Sequence, residues 1–329
     1  MADAVRSGPG RVNATGTDYI ALFLKVFGQE VLTAYKRATV SEPHIYTRTI
    51  ANGKSAQFPT SWRNAAGYHV PGAEILGTAM SHGERIINVM GFLVSSCFLA
   101  EIDEAMNHYD VRSVYSNETG FALAREFDLH AFRTMIAAAR KSSGYGGMSE
   151  APAGLTKINA AYSTDADTIA TGIFDAVQNF AEKDVPPTDT KTCFLAPAQY
   201  YLLASNKDLM NTLWGGRGSL AEASIPKVAG VNLQLTNLLP RLDDSTTAGG
   251  GAGSDATYLA NLTTMGLNLS YTTNIAVITT KWAAGVVKLK DLTIEHTRDA
   301  RRLGDLMTAR YALGFGVLRP ECAVELKTA

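Results

Sequence analysis

With 329 residues, 46% of them hydrophobic, the chain has enough apolar surface for one large domain or two lobes, each burying a core of its own. Its 30 basic and 31 acidic residues nearly cancel, which excludes a chain drawn as a whole to nucleic acid or to an anionic membrane, so any contact with DNA is local. No stretch approaches the ~20 apolar residues of a membrane span, and no apolar segment with a small-residue cleavage site opens the chain. Cys97, Cys193 and Cys322 lie far apart without paired spacing and read as buried thiols of a reducing cytosol.

Residues 1 to about 17 form a small, polar arm that cannot offset its ordering entropy by burial. From Thr17 or Asp18, either of which can cap, Ile20, Leu24, Phe27, Val31 and Tyr35 recur at three-to-four spacing and predict a short amphipathic helix with one docking stripe. Between Val40 and Met90 every helical period is broken by polar stretches and by Gly53, Pro59, Gly67, Pro71, Gly72, Gly77 and Gly83. His44 to Ile50 and Arg85 to Val94 read as strands at the two ends of this segment, which predicts a long hairpin reaching away from its own body.

Glu101, Asp103 and Glu104 lead towards a helix from about Val114 to Arg140, about 40 Å long at ~1.5 Å per residue, a spine. Ala124, Phe127, Ala131 and Met135 mark one face and Leu129, Phe132 and Ile136 a second, so cover is expected on more than one side. After the Gly/Ser-rich Ser142 to Gly147, a helix is predicted from about Asp165 to Lys183, with Thr164 and Asp167 as a capping box. A strand at Thr192 to Ala196 leads through Pro197 into a helix at Ala198 to Ala204. Strands at Val231 to Thr236 and Asn274 to Thr280 flank a glycine-rich surface loop, Ala248 to Ser254. That alternation predicts a mixed α/β lobe. Gly285 to Lys290 and Leu292 to His296 read as two strands, followed by Arg298, Arg301 and Arg302 and a helical or extended run to Gly316. No repeat of solenoid or propeller period appears.

Catalytic patterns are missing. Glu104 and His108 share a helical face if the helix starts early, but without zinc-protease spacing, and acids at the start of a long helix are favourable against its dipole. Gly215-Gly216-Arg217-Gly218-Ser219 lacks the Gly-Lys-Ser/Thr ending of a phosphate loop. His44, His69, His82, His130 and His296 are dispersed, and no serine or cysteine sits in a Gly-x-Ser-x-Gly pattern. No catalytic residue, cofactor or metal is expected. A soluble α/β enzyme stays a rival whose mark is a pocket with converging titratable groups.

Three stretches, Ala21 to Ala34 (ALFLKVFGQEVLTA), Gly53 to Pro59 (GKSAQFP) and Ala105 to Ser113 (AMNHYDVRS), resemble the major capsid proteins of T-seven-like podoviruses, which are short-tailed phages. A weaker likeness runs through Gly285 to Leu292, Tyr311 to Gly314 and Leu318 to Glu321. The resemblance implies an α+β chain of the Hong Kong 97 phage capsid fold. It implies an N-terminal arm (1–40), an extended loop (41–95), a peripheral lobe with the spine helix (96–150 and 280–329) and an axial lobe (151–279). It also implies hexamers and pentamers of an icosahedral shell around double-stranded DNA. The implied partners are a separate scaffolding protein, a portal protein at one vertex and a cement or decoration protein, with assembly in the host cytoplasm and no membrane. The start of the chain at the arm, with no preceding helical segment, points to the same separate scaffold. A cellular nanocompartment shell shares the fold and differs in cargo.

Contacts between copies are expected from Leu24, Phe27 and Val31 on the arm helix and from Lys54, Gln57, Phe58 and Arg63 on the hairpin. The bland readings are intramolecular packing for the helix and simple solvation for the hairpin residues. Arg298, Arg301, Arg302 and Arg310 either line the shell interior or pair with Glu101, Asp103 and Glu104. Pairing is favoured, because arginines more often meet carboxylates and the chain is nearly neutral.

Overall fold

A computed structural model describes residues 39–61, 64, 66–72, 74–77, 79–80, 82–106, 111–142, 152–206, 225, 227–245 and 256–328. The arm helix with Leu24, Phe27 and Val31 lies outside the described residues, as do Arg63, His108 and the glycine-rich runs 215–219 and 248–254. In chain order the elements are β1 (Tyr46–Thr49), β2 (Ser55–Ser61), β3 (His82–Asn88), β4 (Leu93–Ala100), α1 (Glu101–Ala105) and α2 (Val111–Ala139). They continue as β5 (Leu155–Ile158), α3 (Ala166–Glu182), β6 (Lys191–Leu195), α4 (Pro197–Ala204), β7 (Lys227–Val228) and β8 (Val231–Leu235). The last are α5 (Ala256–Met265), β9 (Asn274–Thr280), β10 (Ala284–Asp299), β11 (Gly304–Val317) and β12 (Ala323–Lys327). Two compact units share these elements, one holding residues 91–127 and 289–313, the other 41–90, 128–288 and 314–328.

The second unit is organised by a six-stranded mixed sheet, ordered β5-β12-β9-β6-β8-β7. Its central strand β9, NIAVITT, is buried at all seven positions, as a strand covered on both faces must be. Alternate residues divide the two faces. Cys193 and Leu195 of β6, Ala276 and Ile278 of β9 and Val324 and Leu326 of β12 join the core that contains Ile169, Ile173 and Phe180 of α3. On the opposite face Phe194 meets Phe132 of α2 edge-on, ring centroids 5.0 Å apart. The Thr279 hydroxyl there reaches Met135 Sδ at 3.8 Å. α3 is amphipathic because Ile169, Ile173, Ala176 and Phe180 recur every three or four residues, and all four are buried. α4 starts with Pro197 in its first turn, where the missing N–H costs nothing.

In the first unit β4 runs antiparallel to β11, from Gly304 opposite Ala100 to Tyr311 opposite Leu93. Leu99 and Leu123 are buried there, and the Tyr311 hydroxyl donates to the Leu123 carbonyl at 3.2 Å. Within α2, Phe127, Ala131, Phe132, Met135 and Ile136 are all buried, so cover on more than one side is what the helix has.

The structure departs from the sequence expectations at several points. Asp165, not Thr164, caps α3: its carboxylate accepts from the N–H groups of Asp167 and Thr168, both at 3.2 Å, and from the Thr168 hydroxyl. Thr164 instead ends the preceding 3-10 turn, Ala160–Ser163. The two strands expected across 285–296 are one strand, β10, because pairing to its neighbour β11 carries it past the Lys290-Asp291 pair that reads as a break. The strand expected from Arg85 to Val94 is split into β3 and β4. β12 lies between β5 and β9, in the sheet that also holds β6 and β8.

The Asp165 cap is directly testable. The Thr168 hydroxyl, foremost, and the two backbone N–H groups hold the Asp165 carboxyl below the usual carboxylate range. A depressed folded value means that the stabilisation is complete above the unfolded-state value, about 3.9, and is lost as pH falls through the folded one. Asp165→Ala is expected to lower the thermal midpoint at neutral pH, Asp165→Asn much less, since Asn also caps. The gap between alanine variant and wild type should close in strong acid; a gap that persists there places the loss elsewhere.

Candidate functional site

The β2–β3 ribbon is held to its own unit at one end only. Its register pairs Ser55 with Asn88 and Ser61 with His82, and in its fourteen-residue length only the facing pair Ala56 and Ile87 is buried. That pair sits at the base. Beyond it Ile86 is half exposed, and Tyr68, Val70, Ile75, Leu76 and Met80 of the connecting segment stand in solvent, Ile75 and Leu76 each at 79% exposure. Pro71 and Gly72 make a turn there, Gly72 taking φ +92°. A two-stranded ribbon with one buried pair is marginal in water. Apolar side chains gathered at its free end are a surface waiting for a partner.

Three contacts fix the ribbon base. Arg48 of β1 donates to the Gln57 carbonyl at 2.8 Å, and its guanidinium lies 5.4 Å from the Phe58 ring. Tyr46 meets Phe58 edge-on at 6.1 Å and stacks on Trp282 at 5.0 Å. On the other side Gly316 allows Ile87 to lie against β11, since a Cβ there would stand 2.7 Å from Ile87 Cγ1. Phe58 is thus half-buried against its own chain, whereas Lys54 and Gln57 are exposed. Arg48→Ala is expected to cost about 1 kcal/mol and to speed amide exchange across β2 and β3, with β6 and β9 unchanged. Equal acceleration in all four strands would mean global rather than local loosening.

The arginine cluster is drawn together only in part. Arg298 reaches Glu101 at 2.8 Å, with both side chains more than half exposed. Arg302 pairs with Asp299 at 3.1 Å and Arg310 pairs with Glu295, carboxylates that the hairpin of β10 and β11 places on the same turn and the adjacent strand. The Arg301 N–H donates to Asp299 at 2.9 Å and, with Arg302, holds that carboxyl below its usual range. The Arg301 side chain is exposed, Asp103 is buried, and the Glu104 side chain lies outside the described residues. Exposed pairs of this kind contribute little stability. Arg310 also lies 5.7 Å from the Phe92 ring, beside the exposed Val94.

None of the three cysteines forms a disulfide; Cys193 and Cys322 are buried, and burial pushes the Cys322 thiol up to about 11. Among the described residues no three His, Cys, Asp or Glu side chains gather as a metal site.

Solved structures share this arrangement. The chain matches the capsid of cyanophage P-SCSP1u with a TM-score of 0.80 and 37% identity, covering 100% of this chain and 99% of that one. It matches the mature capsid of bacteriophage PhiM1 with a TM-score of 0.75 over 97% and 96% of the two chains, where 16% identity speaks for the fold alone. The fold is that of Hong Kong 97-type capsids, and the molecule is a shell protein of that class. The model of the Gp10A-like major capsid proteins matches residues 57–327, and the chain belongs to that family. It is 31% identical to the major capsid protein of Escherichia phage T7 over 93% of this chain and 91% of that protein. It is 30% identical to the major capsid protein of Enterobacteria phage T3 over 94% and 92%.

Proposed function

We propose that the protein assembles as hexamers and pentamers into an icosahedral shell around a double-stranded DNA genome. The observation that carries the assembly step is the β2–β3 ribbon, anchored at its base and presenting Tyr68, Val70, Ile75 and Leu76 unburied at its free end. A closed shell needs a heterologous contact that repeats from copy to copy. A projecting ribbon that covers its apolar end on the next copy supplies one, and the exposed Lys54 and Gln57 side chains are its polar candidates. Exposed Arg298, Arg301 and Arg302 and half-buried Arg310 face carboxylates or solvent, and with a formal net charge of −1 genome contact is weak and directed at phosphate. A separate scaffolding protein, a portal at one vertex and a decoration protein complete the proposed partners, with assembly in the host cytoplasm.

Electron microscopy and sedimentation of the purified protein, expressed with and without a scaffolding candidate, test the reading. Uniform icosahedral particles are the expected result, and particles from infected cells should hold nuclease-protected DNA. A stable monomer under every condition would overturn it, and co-purifying enzyme in place of DNA would favour a nanocompartment.

A further inference from the structure

Beside the ribbon base lies a cavity of about 160 Å³ with an unusual charge. Two cations line it, Arg85 of β3 and Lys141 just past the end of α2, together with Asn88 and Thr264 and the apolar side chains of Ile87, Met90, Met265 and Val317. The Nε and Nη2 atoms of Arg85 are buried and have no hydrogen-bond partner among the described residues. Burial, and the neighbouring Arg85 charge, lower the Lys141 pKa. Desolvated guanidinium nitrogens without an acceptor are costly, and a second cation at the same cavity adds to that cost. An arrangement so unfavourable in the isolated chain is complete only with an anion bound.

Among the described residues none supplies that anion. The exposed ribbon end of the chain carries one acidic residue, Glu74, followed directly by Ile75 and Leu76, all three in solvent. Carboxylate and two aliphatic side chains match, group for group, the two cations and apolar walls of the cavity. A nucleic-acid phosphate fits poorly, because it is held on open basic stripes rather than between methionine, isoleucine and valine. We propose that the cavity is the socket for a carboxylate of a second copy of this chain, Glu74 at the free end of that copy's β2–β3 ribbon. The proposal rests on the shell reading above and names the receptor for the ribbon. The guanidinium and ammonium share the carboxylate in a partly dry site, where a charge-assisted contact is strong.

The test uses shells co-assembled from unlabelled and ¹⁵N-labelled chains and treated with a carbodiimide, which condenses a carboxylate with an adjacent amine. The expected product is an amide between Glu74 and Lys141 whose two peptides carry different labels. In parallel, Arg85→Gln, Glu74→Gln and the double variant are compared for assembly. Each single change should weaken assembly roughly tenfold or more, and the double variant should be little worse than either. Glu74 lies in solvent in the unassembled chain, so a defect in Glu74→Gln is a defect of assembly and not of folding. If wild type forms shells but Glu74→Gln assembles normally, or the Lys141 amide joins peptides of one label only, the socket assignment is wrong. If Arg85→Gln shells form normally and lose only their DNA, the cavity serves phosphate instead. Failure of wild type itself to form shells overturns the shell reading and not the pairing alone.

Discussion

Arg140→Met is expected to destabilise the unassembled subunit by about 3–5 kcal/mol, read as the loss of unfolding free energy in urea. Arg140 follows the last turn of α2 and forks onto Glu325 of β12, Nε to Oε2 at 2.7 Å and Nη2 to Oε1 at 2.6 Å. Its third nitrogen donates to the Ser270 carbonyl at 2.5 Å, and the guanidinium lies 5.4 Å from the Tyr271 ring. The Glu325 side chain has no solvent exposure. Removing the arginine leaves a carboxylate in the core without its cation, and water cannot reach it. Glu325→Gln keeps the shape and loses the charge, so its effect should be smaller. The double variant Arg140→Met with Glu325→Met should recover most of the loss, because an ion pair replaced by apolar groups of similar volume is nearly neutral. A double variant as unstable as Arg140→Met would show that the site depends on the hydrogen bond to the Ser270 carbonyl and the contact with the Tyr271 ring rather than on charge balance.

Gly314→Val is expected to be nearly as severe, about 3 kcal/mol or more. A Cβ at position 314 of β11 would stand 2.2 Å from the Asn88 carbonyl oxygen, 2.9 Å from its carbon and 3.1 Å from Val89 Cα. All three are backbone atoms at the ribbon base, where no rotamer change can make room. The ribbon must then lift or β11 must shift, and the Ile87 contact with β11 goes with either movement. A control is Gly77, whose added Cβ meets nothing within 4 Å. Gly77→Ala should therefore leave the melting temperature unchanged, while Gly314→Val lowers it. A neutral Gly314→Val would mean that β3 and β11 are not packed as closely as the structure has them.

What the sequence by itself determined is whatever a local period encodes. Ile169, Ile173, Ala176 and Phe180 name the buried face of α3 because a helix turns every 3.6 residues. Asn274 to Thr280 is legible as a strand for its β-branched run, and its bounds agree with the structure. The glycines and prolines between Val40 and Met90 read as a projecting hairpin, whose legs are β2 and β3; the expected leg His44 to Ile50 instead pairs, as β1, in parallel with β10. The family was legible as well, through short stretches such as Gly53 to Pro59, part of which lies in the matched region.

Tertiary structure alone decided the rest. Arg140 and Glu325 are 185 positions apart, and nothing in either neighbourhood marks them as partners. β12, for which the sequence offered no reading, is held between β5 and β9 on its two sides. Arg302 and Arg310 meet Asp299 and Glu295 because a hairpin makes its own neighbours. Arg85 was read only as one end of a strand; its unpaired guanidinium becomes visible when α2, α5 and β11 wall it in. Periodicity records which face of an element is covered, but which element covers it depends on contacts between distant segments, and those exist only after the chain has folded.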